Sequence, residues 1–194
     1  MTGAGDVTAH AELAPGIAVR GTLAEGTRLL PLTTHRHDRG DLTEVWRRSW
    51  DTGHEAAQWN VVNSPAGVMR GMHIHLGYLE YYVLLSGRST IGTRDVRRGS
   101  PTENAVALIE LTGSFMHALV GPPGVAHGIY CHEPSTLLVG VTAEHDPASE
   151  LGCHWQDPAL EIAWPFDEAR LSERDAALPP LAGVLPHVPP WVAS

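Results

Sequence analysis

Residues 67–87 read GVMRGMHIHLGYLEYYVLLSG, and this run sets the reading of the whole chain. His73, His75 and Glu80 lie between two glycines at the spacing G-x5-H-x-H-x4-E-x6-G. On a strand, side chains alternate with a period of two, so His73 and His75 point to one face. Glu80 follows a four-residue connection, so it can open the next strand and face back toward them. Further on, PPGVAHGIY (122–130) offers His127 just after a Pro/Gly turn. Three imidazoles and a carboxylate suit a borderline divalent ion such as Fe, Mn, Ni, Co or Zn. The sequence therefore marks His73, His75, Glu80 and His127 as candidate ligands of a divalent transition metal. The competing reading is a barrel lined by the same polar residues without a metal. No motif for an organic cofactor is present.

Working outward, the chain breaks into short β-rich runs separated by turns. Examples are AQWNVVN, EYYVLLS, STIGTRDV, AVALIEL, TLLVGVTAE and LEIAW. About ten such runs with little helical pattern predict an all-β sandwich, jelly roll or small barrel. The one helical stretch is FDEARLSERDAAL, where Ser172 with Asp175 three residues on marks a helix start. The tail LPPLAGVLPHVPPWVAS is too rich in proline for regular structure. These features divide the chain into an N-terminal arm (1–27), a β domain (28–181) and a proline-rich tail (182–194). The arm is either flexible or adds an edge strand.

Composition narrows the function. The chain has 194 residues, 43% of them hydrophobic and 18% charged, which fits one globular domain with a real core. Its net charge of -9, without a Lys- or Arg-rich run, argues against nucleic-acid binding. No apolar run approaches twenty residues, so no membrane span is predicted. The N-terminus lacks a basic start and an apolar core, so no secretory signal is expected. Cys131 and Cys153 read as reduced thiols of a cytoplasmic protein.

The ordered HxH, Glu, Gly and Pro-Gly-x-x-His elements resemble the two signature motifs of the cupin superfamily. Cys131 stands where cupins usually have Asn. More of the chain resembles the dTDP-4-dehydrorhamnose 3,5-epimerase family, over about residues 35–181. The pieces are HDRGDLTEVW, QWNVVNSPAGVMRGMH, RDVRRGSPT, PPGVAHGIY, WQDPALEIAWP and LSERDAALPPL. The resemblance implies a cupin double-stranded β-helix (jelly roll) with a short C-terminal helix, a homodimer, and a small-molecule substrate such as a dTDP-linked 4-keto-6-deoxy sugar. It implies nucleotide and diphosphate contacts at Arg39, Glu44, Gln58, Asn60 and Arg70. It makes His73 the base of an RGxH motif and Asp175 its partner. The chemistry is sensible, because a carboxylate behind an imidazole fixes its tautomer and raises its basicity.

Two positions depart from that family. Its active-site lysine aligns with Glu80, and its proton-donating tyrosine aligns with Val139. The family's glutamine two after the histidine is His75 here. The departures predict poor catalysis of ordinary double epimerisation, while His75 and Glu80 complete a cupin-type metal set. Tyr78, Tyr81, Tyr82 and Tyr130 are the candidate replacement acids. Two functions remain open at this point. One is an isomerase or epimerase acting next to the ketone of a nucleotide-linked sugar, with or without metal assistance. The other is a metal-dependent cupin of natural-product biosynthesis: an oxygenase, cyclase, lyase or decarboxylase. If His73 binds a metal through its inward nitrogen, it cannot also be the base.

Overall fold

The computed structural model describes residues 17–50, 52–53, 55–146 and 150–193. The strands are β1 (Ile17–Gly21), β2 (Arg28–Pro31), β3 (Thr34–His37), β4 (Gly40–Thr43), β5 (Gln58–Ser64), β6 (Met69–Ile74), β7 (Glu80–Ser86), β8 (Arg88–Asp95), β9 (Val106–Thr112), β10 (His117–Gly121), β11 (Val125–Cys131), β12 (Ser135–Val141) and β13 (Leu151–Gly152). One sheet runs β1-β9-β8-β11-β6-β13 and a second runs β2-β10-β7-β12-β5, while β3 and β4 form a separate hairpin. All these pairings are antiparallel. From β5 to β13 chain-adjacent strands alternate between the sheets, apart from the β8–β9 hairpin, as in a jelly roll, which is the expected all-β cupin architecture.

Three apolar clusters hold the layers. Between the sheets lie Ile17, Tyr82, Leu84, Ile91, Ile109, Leu111, Leu119, Ile129 and Leu137. The outer face of the six-stranded sheet is covered by the C-terminal segment, whose Trp155, Leu160, Leu181, Val184 and Val188 pack on Met69, Met72 and Ile74. The outer face of the five-stranded sheet buries Tyr81, Val83, Ala118 and Val120 beside Val45 and Trp46. This explains why EYYVLLS reads as an almost unbroken apolar run: β7 is covered on both faces.

Several elements differ from the sequence reading. Ile17–Gly21 pairs with β9 and is the edge strand that was one of two options for the arm; residues 1–16 lie outside the described residues. LEIAW is not a strand. Asp157 caps a 3-10 turn, Pro158–Leu160, and Glu161 then adopts a left-handed conformation that ends any extended run. The C-terminal helix α1 is only Glu173–Ala176, shorter than its predicted stretch, with Ser172 as N-cap accepting from the Asp175 N–H. The tail is more regular than its prolines suggested. A second turn of helix, α2 (Leu181–Val184), and a 3-10 turn (Leu185–His187) place Pro180 at the N-cap and a proline in the first turn, where no backbone N–H is needed.

One irregularity positions the site. Along β6, His73 is opposite His127 on β11, but the next β11 residue, Gly128, is opposite Gly71. Met72 is therefore the extra residue of a β-bulge. Gly71 has φ +120°, and a Cβ there would lie 2.7 Å from the Gly128 Cα, so glycine is needed for this close approach. The bulge lets Met69 and Met72 share the outer face, while Arg70 and His73, also three apart, share the inner one.

Candidate active site

The inner face opens into a cavity of about 250 Å³ between the sheets. The six-stranded sheet contributes Arg70, His73, His127 and Ile129 to its walls, and the five-stranded sheet contributes Glu80, Tyr82 and Val139. A second lobe of about 230 Å³ adjoins it and shares His73, His75, Glu80, Val139 and Arg174; Asn60, Tyr78, Val141, His145 and Glu150 complete it. His73, His75, Glu80 and His127 all line this space, as the alternation predicted.

His73 and Asp175 meet there. The ring Nε2 lies 2.8 Å from Asp175 Oδ1. The Gly71 N–H donates to the other Asp175 oxygen at 3.4 Å. Burial would raise the Asp175 carboxyl, but the hydrogen bond and charge of His73, with the Gly71 N–H and Ser172, hold it below its ordinary value. Asp175 thus sits in the helix cap turn through its backbone and serves the imidazole through its side chain.

Glu150 was not visible in the sequence. Its carboxylate lies 3.0 Å from His73 Nδ1 and 3.6 Å from His145 Nε2, and it forms a short ion pair with Arg174. The two-residue β13 delivers it by pairing Gly152 with His73. His73 is therefore held between two carboxylates, and only a doubly protonated ring can donate to both.

Glu80 bridges the other two histidines, with one oxygen 3.3 Å from His75 Nε2 and the other 3.1 Å from His127 Nε2. The potential ligand atoms of His75, Glu80 and His127 lie within 4.8 Å of one another. His73 does not join this trio. It groups instead with His75 and Glu150, because its nitrogens are drawn to Asp175 and Glu150. The expected four-residue ligand set is thus divided between a trio and a dyad. Burial first, then the charges of His127, His73 and His145, bring the His75 imidazole down to about 2. His75 is consequently neutral, which is the form that ligates metals.

The four tyrosines separate cleanly. Tyr81 turns outward and donates to the Val45 carbonyl at 2.7 Å. Tyr130 stacks on Phe166 with ring centroids 3.6 Å apart. The Tyr78 hydroxyl is 2.7 Å from His75 Nδ1 and 3.2 Å from His145 Nδ1. The Tyr82 hydroxyl is 3.0 Å from His127 Nε2 in the first lobe. Burial, followed by Glu80, pushes the Tyr82 phenol well above its ordinary value.

Among the residues expected to hold a nucleotide, Arg70 lines the cavity, steadied by Nε donating to Ser64 Oγ at 2.9 Å. Gln58 donates to Asn60 Oδ1 at 2.9 Å, and Asn60 lines the second lobe. Arg39 and Glu44 stand apart. Arg39 is exposed in the turn between β3 and β4, and Glu44 pairs with Arg47 just beyond it. Neither borders the two lobes.

Comparison with known proteins fits this geometry. A family model described as dTDP-4-dehydrorhamnose 3,5-epimerase matches residues 22–183. The chain is 32% identical over 168 residues to a dTDP-4-dehydro-6-deoxyglucose 3-epimerase of Streptomyces bikiniensis, covering 81% of this chain and 84% of that one. It is 32% identical to a dTDP-4-dehydrorhamnose 3,5-epimerase of Sinorhizobium fredii, over 74% of this chain and 78% of the relative. A solved 3'-monoepimerase from Streptomyces bikiniensis in complex with dTDP-quinovose superposes with a TM-score of 0.79 at 31% identity, covering 86% and 90% of the two chains. The Legionella pneumophila epimerase in complex with dTDP-4-keto-L-rhamnose gives a TM-score of 0.79 at 27% identity, covering 91% and 100%.

Proposed function

The chain belongs to the dTDP-4-dehydrorhamnose 3,5-epimerase family, and from that premise we propose that it is an epimerase that removes a proton next to the ketone of a dTDP-linked 4-keto-6-deoxy sugar. One observation carries the reading: the His73–Asp175 contact of 2.8 Å on the wall of the cavity. Asp175 takes the N–H at Nε2, which leaves Nδ1 to accept a substrate proton. Glu150 faces that same nitrogen, so it competes with the substrate, and its ion pair with Arg174 draws it the other way. Arg174 also lines the cavity and is the cation available to a developing enolate oxygen. Arg70, Gln58 and Asn60 would hold the nucleotide diphosphate. The test is solvent deuterium exchange into dTDP-4-keto-6-deoxyglucose. Incorporation next to the ketone is expected in the unaltered protein and not in His73→Asn; its absence from the unaltered protein would overturn the reading.

A divalent transition metal fits the trio, which offers two imidazoles and a carboxylate, one imidazole held neutral. We propose His75, Glu80 and His127 as its ligands, with His73 kept as base. When bound, the metal would act as a Lewis acid toward the ketone oxygen. The second group, His73, His75 and Glu150, fits a cation less well because Arg174 already neutralises Glu150. His75→Gln should strip the metal and leave the fold intact. Unchanged exchange by a metal-free His75→Gln protein would rule out metal assistance. The relatives named above are sugar-nucleotide epimerases, which favours this reading over an oxygenase, cyclase, lyase or decarboxylase.

A homodimer completes the proposal. Leu42, Trp59 and Val61 are exposed on β4 and β5, and β5 is a free sheet edge. Pairing there would place Arg39 and Glu44 at an interface rather than in open solvent. Light scattering should return twice the chain mass, and a monomer in dilute solution would refute it. No helix among the described residues is long and apolar enough to cross a membrane. Two buried free cysteines suit a cytoplasmic setting.

A further inference from the structure

We infer that Tyr82 is the proton donor of this site, delivering a proton to the sugar carbon from the face opposite His73. The inference rests on the proton-abstraction reading above. Inversion at a carbon next to a ketone needs two groups on opposite sides: one takes the proton, and the other returns a proton to the far face. The cavity has that arrangement. His73 enters from β6 in the six-stranded sheet, whereas Tyr82 enters from β7 in the five-stranded sheet facing it.

The other hydroxyls are committed elsewhere. Tyr81 serves the Val45 carbonyl behind the sheet, Tyr130 is stacked outside it, and Tyr78 is held between His75 and His145 in the second lobe. The register adds a specific point. Val139 on β12 is the direct cross-strand partner of Tyr82, and both line the cavity. The wall facing His73 thus carries one aliphatic and one phenolic side chain at neighbouring positions, and only the phenol has a proton to give. On its other side Tyr82 is opposite Leu119 of β10, which packs in the same apolar cluster and has no proton to give.

The step balances without any outside reagent. His73 takes the proton, and the C–H electron pair moves into the ketone to form an enolate. The enolate carbon then takes the Tyr82 proton as the carbonyl re-forms. The phenolate recovers a proton from solvent, to which His73 releases its own. The product is the inverted sugar with one hydrogen from solvent.

The experiment follows dTDP-4-keto-6-deoxyglucose in deuterated water by NMR. It measures deuterium incorporation and configurational inversion separately, with dTDP binding and circular dichroism as folding controls. In Tyr82→Phe, incorporation should persist within about tenfold, because His73 can still remove and return a proton on its own face. Inversion should fall by at least about 100-fold, the scale expected for loss of an acid catalyst. Tyr130→Phe, outside the cavity, should keep both rates. Adding Val139→Tyr to Tyr82→Phe moves the phenol to the adjacent strand and should recover at least about tenfold of the lost inversion. Inversion at the parental rate in Tyr82→Phe overturns the inference alone. So does a parallel fall of both rates in a folded, dTDP-binding Tyr82→Phe protein. Failure of the unaltered protein to incorporate deuterium overturns the proton-abstraction reading and this inference with it.

Discussion

Two buried carboxylates show what separates scaffold from chemistry in this molecule. Asp95, at the end of β8, is fully buried and meets five donors. These are Arg97 Nε and Nη2, each at 2.9 Å, the Arg97 backbone N–H at 3.1 Å, and the Ser100 and Thr102 hydroxyls, each at 2.7 Å. Arg97 spends a further N–H on the Glu25 carbonyl, tying the loop after β1 to the sheet. Glu150 is equally buried through its side chain, but two of its three partners are histidines, and one of them, His73, is also claimed by Asp175. Around Asp95 donors outnumber acceptor atoms, and every proton has one place to be. Around His73 acceptors outnumber donors, and a proton has several. The first arrangement fixes geometry and the second leaves a proton free to move. Residue type alone does not distinguish them; the count of partners does.

The comparison can be broken most severely at His73. His73→Asn should reduce deuterium exchange by about 10²–10⁴-fold while leaving the melting temperature near that of the parent. A large loss of stability instead would make the histidine cluster a scaffold like the other. Asp95→Ala should do the reverse. It leaves the Arg97 guanidinium buried without its counter-charge, at a cost of about 3–5 kcal/mol in denaturant unfolding. Exchange per folded molecule should stay within about twofold, and a selective loss of exchange would erase the distinction.

Arg70 lies between the two cases, since it is anchored to Ser64 yet faces the cavity. Arg70→Ala should weaken dTDP binding by about tenfold in calorimetry, the size of one charge-assisted contact. Unchanged affinity would move it to the scaffold. The smallest effect concerns acid. Burial would raise the Asp95 carboxyl, but Arg97, Ser100 and Thr102 hold it below its ordinary value. Between the folded and ordinary values the unfolded chain binds the proton and the native chain does not, so stability falls as pH drops through that window. Urea midpoints measured across it should fall less steeply for Asp95→Asn than for the parent, and parallel slopes would count against the closed network.

Much of this was readable because it follows from period two. His73, Glu80 and His127 reach the cavity from strands, and His75 from the residue just past β6, where the alternation plain in the sequence still holds. The division of that set was not readable, because it depends on Glu150. That residue is carried by a two-residue strand, too short for any pattern, and paired with a segment almost eighty positions away. Arg174 carries a sequence signal of its own, since it adjoins Asp175 in the same LSERD motif. LEIAW misled because alternation of polar and apolar residues does not exclude a capped turn. Asp157 and Pro158 decided the matter just before it. Arg39 and Glu44 rested on resemblance, and their position on an exposed hairpin is a matter of tertiary placement that local pattern does not reach.

The bulge at Met72 gives the site an arithmetic of its own. Arg70 and His73 face the same space only because an odd spacing is compensated by one surplus residue. Deleting Met72 would leave every functional side chain chemically intact and turn one of the two to the wrong side of the sheet. A loop elsewhere can gain or lose a residue and keep its parity irrelevant, but on β6 the difference between even and odd decides whether Arg70 and His73 line the same cavity. Length variation on this strand is therefore expected in steps of two.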